Sequence, residues 1–195
     1  MNSGEGHIDF TDDLRMAADC LKKGGIILYP TDTIWGIGCD ARNSDAVKRI
    51  FNLKKRADNK SMLALVSNEG MLERYVDEIP DIAYELIDVT DNPLTIIYDN
   101  AHGVAPELIA EDGSLGLRIT KEKFSNELCK RIGAPLVSTS ANISGEKSPS
   151  YFNEISEEIK KGVDYVVSYR QDDTTSKKAS NIIKLSKGGV IKIIR

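Results

Sequence analysis

The sequence predicts an α/β fold, a single domain whose twisted, mixed β-sheet is flanked by helices. Short apolar segments typical of buried strands alternate with amphipathic helical segments along most of the chain. Near the end this alternation stops, because two of the last three predicted strands are close enough in sequence to pair antiparallel. The 195 residues fit one domain, or one domain with a small appendage, and can bury a sizeable core. We expect 1–195 to form a single domain without a further C-terminal domain.

Helices are predicted where apolar residues recur at helical spacing between capping residues. Thr11 is the expected cap of the first helix, Asn43 or Ser44 of the second, and Thr120 of a later helix that Gly133 ends. The predicted helices cover about 11–23, a segment from 44 onward, 69–76, 81–89, 120–132 and 153–161.

Strands are predicted where short apolar runs are bounded by turn residues. The predicted strands cover about 26–29, 62–66, 94–98, 115–119, 135–137, 165–167, 181–185 and 190–194.

Composition excludes several classes of protein. The longest apolar runs are far too short to span a bilayer, and the first residues have neither the basic start nor the apolar stretch of a signal peptide. Cys20, Cys39 and Cys129 form no CxxC motif, and their odd number argues against a disulfide framework. Only two histidines accompany them, so a zinc site is not expected. We therefore expect a cytoplasmic protein that makes no contact with membranes.

The net charge of −4 does not favour tight binding to nucleic acid, but one segment is basic. Six lysines and arginines stand between Lys48 and Lys60 against a single acid, Asp58. Lys54 follows Val47 by seven residues, on the helix face that otherwise packs inward, so it is expected to point toward a cleft. Together with Arg56 and Lys60 it has the charge needed to neutralise a triphosphate. Lysines also favour helix C-termini through the backbone dipole, which is the alternative for Lys54 and Lys55. A structural interpretation of this kind is preferred for Lys48, Arg49 and Lys55.

Two polar segments follow predicted strands. The first contains Pro30–Ile37, where two threonines and an aspartate precede glycines that allow a ligand to approach the backbone. An ordinary link between strands is the alternative. The second, Ser138–Gly145, places hydroxyls and an amide after a buried strand, where open α/β sheets bind ligands. Neither a Walker loop nor GxGxxG occurs, so a nucleotide would have to be held in another way.

Taken together and in this order, the motifs resemble those of the YrdC-like family of threonylcarbamoyl-AMP synthases. The similarity extends from about residue 8 to residue 195. The motifs that carry it are Pro30–Ile37, Lys54–Arg56, Pro93–Thr95, Gly116–Arg118, Ser138–Gly145 and Ser180–Ile183.

The resemblance implies the family's fold and an enzyme, a nucleotidyltransferase that converts L-threonine, bicarbonate and ATP into threonylcarbamoyl-adenylate and pyrophosphate. It also implies two sets of binding residues and a catalytic role for Lys54 and Arg56 in the phosphate field. The threonine set is Thr33, Arg118, Ser138 and Ser180, and the ATP set is Arg56, Lys60, Ser114, Ser140, Ser148 and Arg195. Arg118 suits the threonine carboxylate, because a planar guanidinium can bind both oxygens.

The sequence departs from the family pattern at several positions. Trp35 stands where tyrosine is usual, Ala57 replaces a proline, and Asn181 stands where threonine is usual. A histidine that some members place on the next strand is Leu65 here, so no role is assigned to it. The path from Arg56 to Lys60 is the part of the site that these departures affect most.

The expected chemistry needs no histidine base. A threonine carbamate is already an anion, so positioning and charge neutralisation are the main requirements for its attack on ATP. Mg²⁺ is expected to accompany ATP, with no confident protein ligand, since Asp32 has either an indirect metal role or a structural one.

The resemblance also implies partners and leaves other functions open. The product would pass to a transferase that modifies tRNA beside the anticodon. One alternative is a non-catalytic module that binds double-stranded RNA. Another is a relative that handles carbamoyl-adenylate, although such relatives embed this domain in a much longer chain.

Overall fold

The computed structural model of the chain describes residues 9–55, 62–175, 177 and 179–195. Within these ranges there are six α-helices and nine strands. The helices are α1 (Thr11–Lys22), α2 (Ser44–Leu53), α3 (Glu69–Leu72), α4 (Asp81–Val89), α5 (Lys123–Ile132) and α6 (Glu157–Gly162). The strands are β1 (Ile27–Tyr29), β2 (Gly36–Gly38), β3 (Leu63–Val66), β4 (Leu94–Tyr98), β5 (Leu115–Ile119), β6 (Leu136–Ser140), β7 (Tyr165–Val166), β8 (Asn181–Leu185) and β9 (Ile191–Ile193).

The nine strands form one mixed sheet in the order β7-β1-β2-β6-β3-β5-β4-β8-β9. Pairing is parallel between β1 and β7, β3 and β5, and β4 and β8, and antiparallel elsewhere. The predicted antiparallel hairpin near the end of the chain is confirmed as β8 and β9. The prediction of a mixed α/β sheet is therefore confirmed as well.

The core lies between the sheet and the helices that cover it. The apolar faces of α1 and α5 are buried, and the Phe10 ring just before α1 lies 5.7 Å from the ring of Phe124 in α5. Phe124 and Leu128 are fully buried, and each contributes about 1.5–3 kcal/mol through the apolar surface removed from water. The helices thus cover the sheet whose strands lead into the polar segments Pro30–Ile37 and Ser138–Gly145.

Two predicted caps are wrong. Thr11 is the first residue of α1 and Phe10 stands at the N-cap, while the backbone N–H of Thr11 donates to the Asp9 carboxylate at 2.9 Å. Helix α5 begins after Glu122, whose carboxylate accepts the N–H of Ser125 at 2.7 Å. The helix therefore begins later than predicted, and the acidic side chain of Glu122 satisfies one of its free N–H groups.

The structure also corrects some element boundaries. Helix α3 is shorter than the predicted segment 69–76, because Val76 leaves it to form a bridge with Ala101. The predicted helix 153–161 is instead a 3-10 turn, Phe152–Glu154, followed by α6, which Ser156 caps. Strand β2 was not predicted, since its two glycines give a weak strand signal.

Gly38 in β2 is required by close packing. A Cβ atom at this position would lie 2.3 Å from the carbonyl oxygen of Val137 and 2.7 Å from the Tyr29 ring. The hydroxyl of Tyr29 donates to that same carbonyl at 2.9 Å. The glycine thus lets β2 lie between β1 and β6, which brings the polar turn before β2 next to the end of β6.

Candidate active site

A cavity of about 430 Å³ opens where several strands of the sheet end. The turn before β2 and residues of β3, β5, β6 and β8 form its walls. Its volume is typical of sites that hold small molecules. The polar segments that the sequence analysis selected therefore meet at one place.

All four residues predicted to bind threonine line this cavity, and each is at least nine-tenths buried. Arg118 comes from the fourth position of β5 and Ser138 from the third position of β6. Thr33 lies in the turn before β2, and Ser180 directly precedes β8. Three hydroxyls and one guanidinium from separate elements thus surround the same space.

Three residues of the predicted ATP set, Ser140, Ser148 and Arg195, line the same cavity. Ser114 does not. It directly precedes β5, at the opposite end of that strand from Arg118, and its hydroxyl donates to the Asp112 carboxylate. The predicted ATP residues Arg56 and Lys60 lie outside the described residues.

Lys54, at the C-terminal end of α2, is buried as its helix face predicted, with 2% of its surface exposed. Its ammonium donates to the backbone carbonyls of Ser140 and Asn142, and the N–H of Ser144 donates to the Lys54 carbonyl. The lysine thus holds the hydroxyl-rich segment after β6 against α2. Its positive charge lies directly behind the Ser140 wall of the cavity.

The turn before β2 is stabilised by its own side chains. The Thr31 hydroxyl donates to the carbonyl of Ile34 at 2.7 Å and accepts the N–H of Thr33 at 3.0 Å. The hydroxyls of Thr31 and Thr33 also lie 3.0 Å apart. These bonds fix the Thr33 hydroxyl at the cavity without requiring a ligand.

Arg118 is held by residues to which the sequence analysis gave no binding role. Its Nη2 lies 2.8 Å from Oδ1 of Asp32, and its Nη1 donates to the Thr95 hydroxyl at 3.4 Å. The Thr95 hydroxyl in turn lies 3.0 Å from that of Ser180. The motif Pro93–Thr95 indicated that Thr95 belongs to the sequence pattern of the family. Local sequence does not reveal that Thr95 contacts Arg118 and Ser180.

A second arginine anchors the segment between β7 and β8. Arg170 donates to Asp173 at 2.6 Å and to the Thr31 carbonyl at 3.4 Å, and it lies 3.5 Å from Glu122. Hydrogen bonding to Arg170 holds the pKa of Asp173 well below its usual range. Arg170 thus connects two parts of the chain: the segment before Ser180, through Asp173, and the turn that contains Thr33, through the Thr31 carbonyl.

A smaller cavity of about 290 Å³ is lined by Asp32, whose ion-pair partner Arg118 lines the larger cavity. Its charged lining consists of Asp32, Asp91, Lys121, Glu122 and Lys177. Burial, and to a smaller extent the nearby charge of Arg170, lowers the pKa of Lys177. Asp32 therefore lies between two cavities, paired with Arg118 toward the larger one.

Metal ligands were tested against the same geometry. Across 9–55, 62–175, 177 and 179–195, no three histidine, cysteine or acidic side chains are grouped so that they could hold an ion. Asp32 forms an ion pair with Arg118, and its indirect metal role stays a prediction. Cys20, Cys39 and Cys129 are free thiols. In the described part of the chain, no helix is both long and apolar enough to cross a membrane.

Comparison with known proteins gives one consistent family. Residues 19–195 match the Sua5/YciO/YrdC family model, described as telomere recombination. A Methanocaldococcus jannaschii protein provisionally named threonylcarbamoyl-AMP synthase is 36% identical over 187 residues, covering 93% of this chain and 86% of that protein. The threonylcarbamoyl-AMP synthase of Pseudoalteromonas translucida is 33% identical over 154 residues, covering 77% and 82%.

Among solved structures, P. abyssi Sua5 complexed with L-threonine is similar with a TM-score of 0.79 and 26% identity. The aligned part covers 88% of this chain and 50% of that protein, so this chain spans half the length of that relative. A second P. abyssi Sua5 structure, of the H234A/Y235A variant, has a TM-score of 0.82 and covers 94% of this chain and 53% of that one.

Proposed function

The chain belongs to the Sua5/YciO/YrdC family, and we propose that it is a threonylcarbamoyl-AMP synthase. Its substrates are L-threonine, bicarbonate and ATP, and its products are threonylcarbamoyl-adenylate and pyrophosphate. The observation that carries this proposal is the single cavity lined both by a buried arginine with three hydroxyls and by Ser140, Ser148 and Arg195. Such a cavity can hold an amino acid beside a nucleotide.

Threonine binds at the Arg118 end of the cavity. Arg118 is 3% exposed, so a carboxylate bound to its guanidinium interacts with it in a weakly screened environment. The hydroxyls of Thr33, Ser138 and Ser180 are short, rigidly placed groups suited to the polar atoms of a small amino acid. We propose that these residues fix the threonine so that its amino group faces the nucleotide.

ATP binds at the Ser140, Ser148 and Arg195 end. Arg195 donates to the carbonyl of Ser180 through Nε at 3.3 Å and Nη2 at 3.2 Å, which places its positive charge beside the threonine end. Arg56 and Lys60 complete the proposed ATP set from outside the described residues. Lys54 acts through the Ser140 segment, so we propose that it positions that segment and adds positive charge near the phosphates.

The reaction proceeds in two balanced steps. The neutral amine of threonine combines with bicarbonate to give a carbamate and water. A carbamate oxygen then attacks the α-phosphorus of ATP, the bond to the bridging oxygen of the β-phosphate breaks, and pyrophosphate leaves. The second step transfers no proton, so aligned substrates and compensated charge are what the protein must supply. Mg²⁺ bound to ATP would supply neutralising charge at the leaving phosphates, and no described residue is assigned as its ligand.

Several parts of the proposal extend beyond the cavity. The free thiols Cys20, Cys39 and Cys129 suit a reducing compartment, and we propose that the enzyme works in the cytoplasm. Threonylcarbamoyl-adenylate is a reactive mixed anhydride, so a transferase that places the group on tRNA is the proposed consumer of the product.

The test is pyrophosphate release by the purified chain, with mass spectrometry of the adenylate. We expect release only when ATP, threonine and bicarbonate are all present, together with the mass of threonylcarbamoyl-adenylate. Reactions that lack one substrate serve as controls. Release without threonine, or a complete reaction that forms no adenylate, would contradict the proposal. RNA binding with a steep salt dependence and no adenylate would favour the non-catalytic alternative.

A further inference from the structure

We infer that Asp32 is a positioning residue for threonine binding, which acts by holding the charged Arg118 side chain at the cavity wall. This inference rests on the proposed function, because it concerns how the same cavity binds threonine. It assigns a role to the acidic residue of the turn before β2, which does not line the larger cavity itself.

Two nitrogens of the Arg118 guanidinium, Nε and Nη2, donate no hydrogen bond to the described residues. Among the described residues, the Thr95 hydroxyl accepts a hydrogen bond from Nη1 of Arg118. Nε is buried and donates to none of the described residues. Nη2 and Oδ1 of Asp32 lie 2.8 Å apart, yet they are not aligned as a hydrogen bond, so Asp32 compensates charge rather than taking a donor.

Burial makes this compensation necessary. The side chains of Arg118 and Asp32 are 2% and 10% exposed, so neither charge is well solvated. An isolated buried guanidinium would move toward water or toward another acceptor. Asp32 therefore keeps Arg118 at the cavity wall before threonine arrives, and Thr95 sets its orientation relative to Ser180.

Asp32 also lies on a rigid support. It stands between Thr31 and Thr33, whose hydroxyls and backbone form the bonded turn described above. Its other side faces the smaller cavity that Lys177 lines. Because the turn fixes the backbone on both sides of Asp32, its carboxylate can orient Arg118 without reorganising when threonine binds.

The experiment measures threonine affinity by calorimetry, with a non-hydrolysable ATP analogue present, in the unchanged protein and in Asp32→Asn and Asp32→Glu. The threonine Kd is expected to rise about tenfold or more in Asp32→Asn, because the neutral amide no longer compensates Arg118. Asp32→Glu keeps the negative charge, so its threonine Kd is expected to lie between those of the unchanged protein and of Asp32→Asn. The Kd of the ATP analogue, measured alone, should change by less than about twofold.

Asp40→Asn is the matched control. Asp40 forms a 2.7 Å ion pair with Arg42 but does not line the cavity, so its replacement should leave threonine affinity unchanged. Equal weakening of threonine and of the ATP analogue in Asp32→Asn would indicate general distortion and overturn the inference. So would tighter threonine binding, which would mean that Asp32 competes with the substrate. If the unchanged protein binds no threonine, the proposed function fails too, which distinguishes that outcome from failure of the inference alone.

Discussion

Lys54 Nζ donates to the backbone carbonyl of Asn142 at 2.6 Å, across 88 positions of sequence, and so joins the end of helix α2 to the segment after β6. The same ammonium donates to the backbone carbonyl of Ser140, a residue that lines the larger cavity. One buried cation thus determines where a wall of the candidate active site stands. The basic motif of this family member has a structural function as well as an electrostatic one.

Replacing Lys54 by methionine should therefore affect both stability and nucleotide binding. The change leaves two carbonyls without their charged donor, and we expect the free energy of unfolding to fall by about 2–4 kcal/mol. The KM for ATP should rise more than the KM for threonine, because the Ser140 segment loses its support. Urea denaturation and steady-state kinetics measure the two effects.

Lys55→Met provides the comparison for Lys54→Met. Lys55 is exposed and pairs with Glu158 on the surface, where water screens the pair, so its replacement should reduce stability far less than Lys54→Met does. Equal destabilisation by the two substitutions would show that the buried hydrogen bonds of Lys54 contribute little.

Replacing Arg118 by alanine should act mainly on threonine. The guanidinium is the only cation that we assign to the substrate carboxylate, so we expect the KM for threonine to rise about a hundredfold while that for ATP changes by less than about threefold. Pyrophosphate release at varied substrate concentrations measures both constants. Arg131→Ala, at an exposed position of α5, is the control. Comparable effects of Arg118→Ala on both substrates would refute the assignment.

The Gly38→Ala variant tests the close packing of β2. The added methyl would meet the Val137 carbonyl and the Tyr29 ring well inside normal contact distance, so we expect a loss of about 3 kcal/mol in the free energy of unfolding. Gly116→Ala in β5 is the matched control, because its nearest contacts would be 3.4–3.8 Å, and it should lose less than about 1 kcal/mol. A Gly38→Ala protein as stable as Gly116→Ala would show that β2 can move without cost.

The ion pair of Arg170 and Asp173 predicts an acid dependence of stability. Hydrogen bonding to Arg170 lowers the pKa of Asp173 in the folded protein, so the unfolded chain takes up the proton first as pH falls. The pair's contribution is thus complete above the ordinary aspartate pKa of about 4 and is lost as pH falls further toward the folded value. Asp173→Asn should be less stable by about 1 kcal/mol at pH 7. The difference should shrink by pH 3.

Urea denaturation at the two pH values measures this prediction, with Asp172→Asn at the exposed neighbouring position as the control. A stability difference for Asp173→Asn that stays the same at pH 7 and pH 3 would mean that its carboxylate is not stabilised by Arg170.

Local sequence alone determined much of the secondary structure. The bounds predicted for α4, β4, β5 and β8 match those observed, because periodicity and nearby breakers define such segments within a few residues. The family was also recognisable from its motifs, since hydroxyls, glycines and cations recur in a fixed order. The helix N-termini were less predictable, because the carboxylates of Asp9 and Glu122 accept N–H groups at the helix starts where threonine hydroxyls were expected.

Only the tertiary structure decided which residues meet. Asp32 and Arg118 are 86 positions apart, and Thr95 and Ser180 are 85 apart, yet each pair is in contact. These contacts arise because the sheet places β5 beside β4, β4 beside β8, and the turn before β2 near the end of β6. Strand order depends on how the whole chain buries its apolar faces, and no short segment records it. The sequence thus identified the chemistry of the site, and long-range packing supplied its geometry.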